Sequence, residues 1–156
     1  MKIIKLTNTR KYTLVDNEDF ERLNKYKNWR INWWGYVVRR TSVKEGKKDI
    51  FIHREILNIS KGEYVDHINS DKLDNRKENL RLATYQQNNY NRRLNKNNKS
   101  GYKGVIWDKG VKKWRAYIRS GKMIYLGVFK TKLEAAKTYN EAAIKLFKEF
   151  AKLNKI

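Results

Sequence analysis

The 156-residue chain carries 37 Lys and Arg against 16 Asp and Glu, a formal net charge of +21, and 40% of its residues are hydrophobic. It has no cysteine, which excludes a disulfide framework and a thiolate zinc site, and its two histidines exclude a His-rich metal cluster. No stretch approaches the ~18–20 apolar residues that span a bilayer, and the charge-studded start lacks a signal-peptide core, so no membrane association and a cytoplasmic, DNA-associated location are expected. Residues 101–156 carry 14 basic and 4 acidic side chains (+10), and residues 1–100 carry 23 and 12 (+11), so both parts can track a phosphate backbone.

Residues 1–52 read as a β-rich leader. Ile3, Ile4 and Leu6 open it, Tyr12, Leu14 and Val15 follow, and then come Trp33, Trp34, Tyr36, Val37 and Val38, with Gly35 and Gly46 as turn signals. Between these runs, the stretch from Asn17 to Tyr26 has acids in its first turn and predicts a short helix. Ile52 to Leu57 is a second short helix or a strand running into one. His53, at its start, reads as a packed or phosphate-contacting histidine.

Residues 64–94 follow a different pattern. A short strand, Tyr64 to Ile68, leads to a polar loop from Asn69 to Asn79 and a second strand, Leu80 to Ala83. Thr84 with Gln87 three residues on is a capping-box signature, so a helix is expected to begin there and to carry Asn88. Residues 95–100 form a polar linker, which sets the expected domains at 1–94 and 101–156. Beyond it, Val105 to Trp107 predicts a strand. Trp114, Ala116 and Ile118 alternate with Arg115, Tyr117 and Arg119 in a half-buried second strand, Ser120-Gly121 turns the chain, and Met123 to Phe129 forms a third. Thr131 and Glu134 make another capping box, opening a helix with Ala136, Tyr139, Ala143, Phe147 and Phe150 on one face.

Phosphodiester hydrolysis needs a base for water, a cation for the charge on the transition state, and rigid placement of both. Asp66-His67 is an acid–His pair in an Asn-rich strand-loop-helix setting. A His with a pKa near ~6.5 is largely neutral at cellular pH and can serve as the base. Carboxylate and amide oxygens suit one hard divalent ion, Mg²⁺ or Mn²⁺.

The run VDHINSDKLDNRKENLRLATYQQNNYN resembles the HNH endonuclease motif of phage and intron-encoded homing enzymes, and the likeness extends over roughly residues 10–94. The resemblance implies a ββα-metal unit that clamps one divalent ion against the scissile phosphate. By position, His67 matches the general base and Asp66 the metal-ligating acid. Asn79, twelve residues after His67, matches the central Asn that orients the base and braces the loop, and Asn88, twenty-one after, matches the second metal ligand. Asn75 competes for the central role, and Asn89 or Asn91 for the last. Arg76, Arg81, Arg92 and Arg93 are expected DNA contacts of this unit.

Residues 101–150 resemble the ethylene-response-factor (Apetala-two) DNA-binding domain, through Tyr102-Lys103-Gly104-Val105, Trp114-Arg115-Ala116, Ile118-Arg119, Tyr125-Leu126-Gly127, Phe129 and Glu134-Ala135-Ala136. The resemblance implies a three-stranded sheet lying in the major groove, with Lys103, Arg115, Tyr117, Arg119 and Tyr125 as contacts. Ile106 and Asp108 stand where that family often has Arg, which points to a looser or AT-tolerant target. The expected fold class is therefore α+β: a ββα-metal nuclease unit with a β-rich leader, then a small domain of three antiparallel strands and one helix. The expected function is a metal-dependent homing or nicking endonuclease on double-stranded DNA, a monomer or weak homodimer with no small-molecule cofactor. A DNA-binding regulator with an inactive nuclease fold and an RNA-binding protein are the competing readings. Every expected catalytic position holds a competent residue, which favours the enzyme.

Overall fold

The β-branched runs of the leader make short strands because each alternates a core-facing with a solvent-facing residue. In the structure, a computed structural model that describes residues 1–60 and 62–156, β1 (Lys2–Lys5) pairs antiparallel with β2 (Tyr12–Val15). Helix α1 (Asn17–Asn24) follows, with Glu18 and Asp19 in its first turn, where acids suit the positive end of the helix dipole. A three-stranded antiparallel sheet comes next, in the order β3 (Arg30–Ile31), β4 (Val37–Arg40), β5 (Asp49–Phe51). Ile52–Leu57 is a helix, α2, which ends on Asn58 in a left-handed conformation (φ 49°). The hairpin of β6 (Tyr64–His67) and β7 (Leu80–Ala83) follows.

These elements meet in one core. Ile4, Leu6, Val15, Leu23, Trp29, Val37, Ile52, Ile56, Val65 and Leu80 are all buried in the same cluster, so the leader and the β6–β7 hairpin share a hydrophobic interior. The Trp29 indole N–H donates to the Leu23 carbonyl at 2.9 Å, so the largest core side chain leaves no polar atom unpaired there.

Trp33 and Trp34 depart from the β reading. They form the tip of the β3–β4 connection and are 95% and 70% exposed. Asn32 Oδ1 accepts from the backbone N–H groups of Trp34 (3.1 Å) and Tyr36 (2.9 Å), and Gly35 takes φ +82°. A side-chain acceptor for two backbone donors and a left-handed glycine make a turn more favourable than a continued strand.

The chain divides into two compact units, Met1–Thr84 and Tyr85–Ile156. The division falls before helix α3 (Tyr85–Tyr90), not in the polar stretch 95–100. The cause is Tyr90, whose ring stacks on Phe147 at 3.7 Å and whose carbonyl accepts from Lys103 Nζ, so α3 packs with the C-terminal elements. That second unit holds an antiparallel sheet in the order β10 (Lys122–Phe129), β9 (Lys113–Ser120), β8 (Val105–Asp108) and the helix α4 (Lys132–Phe147). Thr131 and Glu134 form both halves of the capping box at the start of α4. Ala136, Tyr139, Ala143 and Phe147 are buried on its sheet-facing side, and Phe150 is buried in the short 3-10 turn beyond. Gly104 is required sterically: a Cβ there would lie 2.2 Å from the Tyr139 ring and 2.5 Å from the Tyr117 carbonyl, at φ +73°. Among the described residues no helix is long and apolar enough to cross a membrane.

Candidate active site

The β6–β7 hairpin carries the candidate residues Asp66 and His67. Its register sets Asp66 opposite Arg81 and His67 opposite Leu80, and both Asp66 and His67 are buried. The connection between the strands is a closed polar loop. Asn79 Nδ2 donates to the Asp74 carbonyl at 2.7 Å, while Asn79 Oδ1 accepts from the Asn69 backbone N–H at 2.9 Å. The Ile68 N–H reaches the Asn79 carbonyl at 2.9 Å. The loop is also strapped to the leader: Leu14 N–H donates to the Leu73 carbonyl (2.8 Å), and Asn75 N–H donates to the Leu14 carbonyl (2.9 Å). Strand β2 therefore holds the 69–79 loop in place, a role that its apolar alternation does not signal.

His67 Nε2 lies 3.1 Å from Asn75 Oδ1. The amide of Asn75 is oriented by its other end, where Nδ2 donates to the Lys72 carbonyl (3.1 Å) and to Thr13 Oγ1 (2.8 Å). A carbonyl only accepts, so the atom facing it is the nitrogen and Oδ1 faces the imidazole. Nε2 thus carries the proton, and Nδ1 is the nitrogen with the basic lone pair. Burial lowers the His67 pKa below the usual histidine value, against the opposing pull of Asn75 and Asp66. The imidazole is neutral at pH 7, the state a general base requires. Asn79 hydrogen-bonds within the loop, and the side chain that meets the His67 ring is Asn75.

The ring is walled by side chains from three other elements. The centroid of His53 lies 5.2 Å from that of His67 in an edge-to-face arrangement, and Tyr36 is 6.1 Å away. Tyr36 also touches His53 (5.4 Å) and Phe51 (5.9 Å), and Lys72 Nζ sits 3.9 Å over its ring. His53 is 7% exposed and its Nδ1 is buried without a hydrogen-bond partner. Burial, then the neighbouring His67, lowers its pKa to about 3. His53 is thus a packed, neutral member of the site wall. Tyr36 lies 31 residues before His67 in the chain, and Lys72 falls within the motif run but at a position to which the resemblance assigns no role.

Asp66 is buried, and Arg81 Nε and Nη2 both donate to its Oδ2, at 2.8 and 2.6 Å. Arg81, expected as a DNA contact, is engaged within the hairpin, where its guanidinium balances a buried carboxylate. Arg76 is likewise engaged, by Asp74 at 2.8 Å and by Glu78, and Arg76 holds the Asp74 carboxyl below the usual range. The Asp66 carboxylate is a hard, anionic oxygen donor of the kind Mg²⁺ and Mn²⁺ select. Among the described residues no group of three or more His, Asp or Glu side chains converges, so a bound ion would draw much of its shell from amides, water or substrate. Asn88 stands half-buried on α3 in the second unit. Nδ2 of Asn89 donates to its own helix, at the Tyr85 carbonyl, and Asn91 is buried.

In the second unit the outer face of the sheet carries Tyr117 opposite Tyr125, Arg119 opposite Met123, and Arg115 between Ile106 and Val128. Arg119, Tyr125, Met123 and Ile106 are exposed. Two of the expected contacts have partners within this unit. Lys103 is half-buried, its Nζ donates to the Tyr90 (2.5 Å) and Arg92 (3.0 Å) carbonyls, and burial lowers its pKa to about 8, so it ties off α3 and does not face outward. Arg115 is ion-paired with Asp108, which reduces the charge it presents. Arg92 and Arg93 are exposed just after α3.

Residues 58–90 match the family model described as HNH endonuclease, a span that contains β6, the loop, β7 and α3. The chain is 36% identical over 149 residues to an uncharacterized HNH endonuclease of Acanthamoeba polyphaga mimivirus, covering 93% of this chain and 75% of that one. The chain belongs to the HNH endonuclease family. This HNH endonuclease is also 42% identical over 60 residues to protein 3.8 of Escherichia phage T7, across 38% of its own length and half of that protein's. No solved structure matches it. Family membership makes the enzyme a phosphodiester-cleaving nuclease, and Asp66, His67, Asn75 and Asn79 all fall within the matched span.

Proposed function

We propose that the protein is a metal-dependent DNA endonuclease of the phage or homing type, in which the first unit cuts and the second holds the duplex. The observation that carries this reading is the neutral His67 imidazole, protonated on Nε2 by its bond to Asn75, with the Asp66 carboxylate one residue away on the same strand. In the reaction, Nδ1 of His67 takes a proton from water as its oxygen attacks phosphorus in line with the leaving 3′ oxygen. Asn75 keeps the ring in the basic tautomer and stabilises the imidazolium that forms, since Nε2–H still has its acceptor. Asn79 keeps the loop closed, which fixes the ring's direction. Asp66 would hold the divalent ion, which when bound neutralises charge on the phosphate and on the departing oxygen. Arg81, already bonded to Asp66, would share that carboxylate with such an ion.

The proposed division of labour places nuclease residues in 1–94 and the DNA-gripping sheet in 101–156. The grip rests on the +10 charge of the C-terminal segment and on the exposed Arg119 and Tyr125, with Arg92 and Arg93 on the phosphate backbone. Partners are double-stranded DNA and one Mg²⁺ or Mn²⁺ ion. With a single His67, one copy cuts one strand at a time, so nicking is the expected product.

The test is supercoiled plasmid incubated with the protein and Mg²⁺ or Mn²⁺. Nicked circles should form, disappear with EDTA, and fall by about 10³-fold with His67→Ala, the size of a lost general base. Nicking that persists undiminished in His67→Ala would overturn the assignment.

A further inference from the structure

Two neighbouring tryptophans are presented to solvent on a built turn beside the catalytic imidazole. Large aromatic side chains at 95% and 70% exposure are seldom left in water without a partner surface. Here the turn is held by both Asn32 bonds, by the Gly35 N–H to the Asn32 carbonyl (2.9 Å), and by Asn32 N–H to the Tyr36 carbonyl (2.9 Å). Lys72 Nζ, from the catalytic loop, donates to the Trp34 carbonyl at 2.7 Å and lies over Tyr36, whose ring adjoins His67. The tip is thus tied to the wall of the site through Lys72 and Tyr36. The occupant is set by charge: the chain is +21, Lys72 stands at the tip, and the exposed Arg40 is on β4, while Arg30 and Arg39 are ion-paired with Asp49 and Glu55.

We propose that Trp33 and Trp34 form a wedge that enters the base stack of duplex DNA next to the scissile phosphate. The inference rests on the nuclease reading and adds the way the duplex is opened. Apolar side chains inserted between base steps unstack and kink the helix, and an aromatic face stacks on any base, so the wedge grips without reading sequence. Unstacking at the cut also frees the sugar-phosphate chain to adopt the in-line geometry that His67 requires.

Insertion unwinds DNA, which can be read without cleavage. Closed circular plasmid is relaxed by a metal-independent topoisomerase in EDTA with saturating protein, then stripped of protein and run on an agarose gel. The wild type should leave a distribution shifted to lower linking number. Trp33→Ala with Trp34→Ala should abolish the shift at saturation and weaken binding to the same plasmid about tenfold. Trp33→Phe with Trp34→Phe, which keeps an aromatic face, should restore the shift. An unshifted wild-type distribution, or a shift equal in wild type and double-alanine protein, overturns the wedge. The nuclease reading is scored separately by metal-dependent nicking: nicking without a linking-number change sinks the wedge alone, and a Trp-dependent change without nicking leaves the wedge standing and sinks the nuclease.

Discussion

At the scale of single residues, the site is a histidine kept neutral by burial and aimed by an amide. Asn75→Ala removes the acceptor at Nε2 and releases the ring to the other tautomer. Nicking should fall by about 10²-fold, and a buried donor left unpaired should cost about 1–3 kcal/mol of stability, both measurable by plasmid turnover and urea unfolding. The two neutral imidazoles also set an acid limit. In the unfolded chain each histidine titrates near ~6.5, whereas folded His53 titrates at about 3 and folded His67 below its usual value. Between these values the unfolded state binds protons that the native state refuses, so stability is full above pH ~6.5 and declines as the pH falls towards 3. Urea midpoints at pH 7.5 and 4.5 should show this loss, and His53→Phe should reduce it. Equal acid sensitivity in that variant would remove His53 as the source.

Elements depend on a few contacts with definable energies. Arg81 and Asp66 face each other across β6 and β7, and both are largely buried. Arg81→Ala takes a guanidinium away from a buried carboxylate and should destabilise the metal-free protein by about 3 kcal/mol, with Mn²⁺ recovering part of the loss in thermal melts. In the second unit, Gly104 admits the Tyr139 ring against β8. Gly104→Ala drives a methyl into that ring and into a backbone carbonyl at positive φ, so a loss of about 3 kcal/mol is expected by chemical denaturation. A melting temperature unchanged by this substitution would show that α4 can shift on the sheet. The motif at β6–β7 was legible because the run from Val65 to Asn91 resembles the HNH motif, which implied roles for His67 and Asn79. The imidazole's partner was not, because Asn75 and Asn79 lie four residues apart in an Asn-rich loop, and only the Lys72 carbonyl and Thr13 decide which amide turns inward.

For the whole molecule, the position of α3 matters most. It closes the matched HNH span, yet its Tyr90 is stacked on Phe147 of the C-terminal helix. A fragment of residues 85–156 should therefore melt cooperatively at a higher temperature than one of 101–156, which lacks Tyr90 and the acceptors for Lys103 Nζ. Matching melts by circular dichroism would show α3 to be unnecessary to that fold. The intact chain should bind plasmid with a steep negative slope of log K against log salt, because a +21 protein displaces counterions from many phosphates.

The sequence by itself determined what depends on local order. Strand alternation, the capping box at Thr131, the apolar face of α4, the basic balance and the Asp66-His67 spacing each involve residues within a few turns of one another. Tertiary structure alone decided what depends on which distant groups meet. It paired Arg81 with Asp66 and Arg115 with Asp108, sequestered Lys103, set His53 and Tyr36 against His67, and left Trp33 and Trp34 in solvent. A cation's role follows from the anion that reaches it, and an aromatic's from whether the core has room for it. Neither is written in the spacing of the residue's own neighbours.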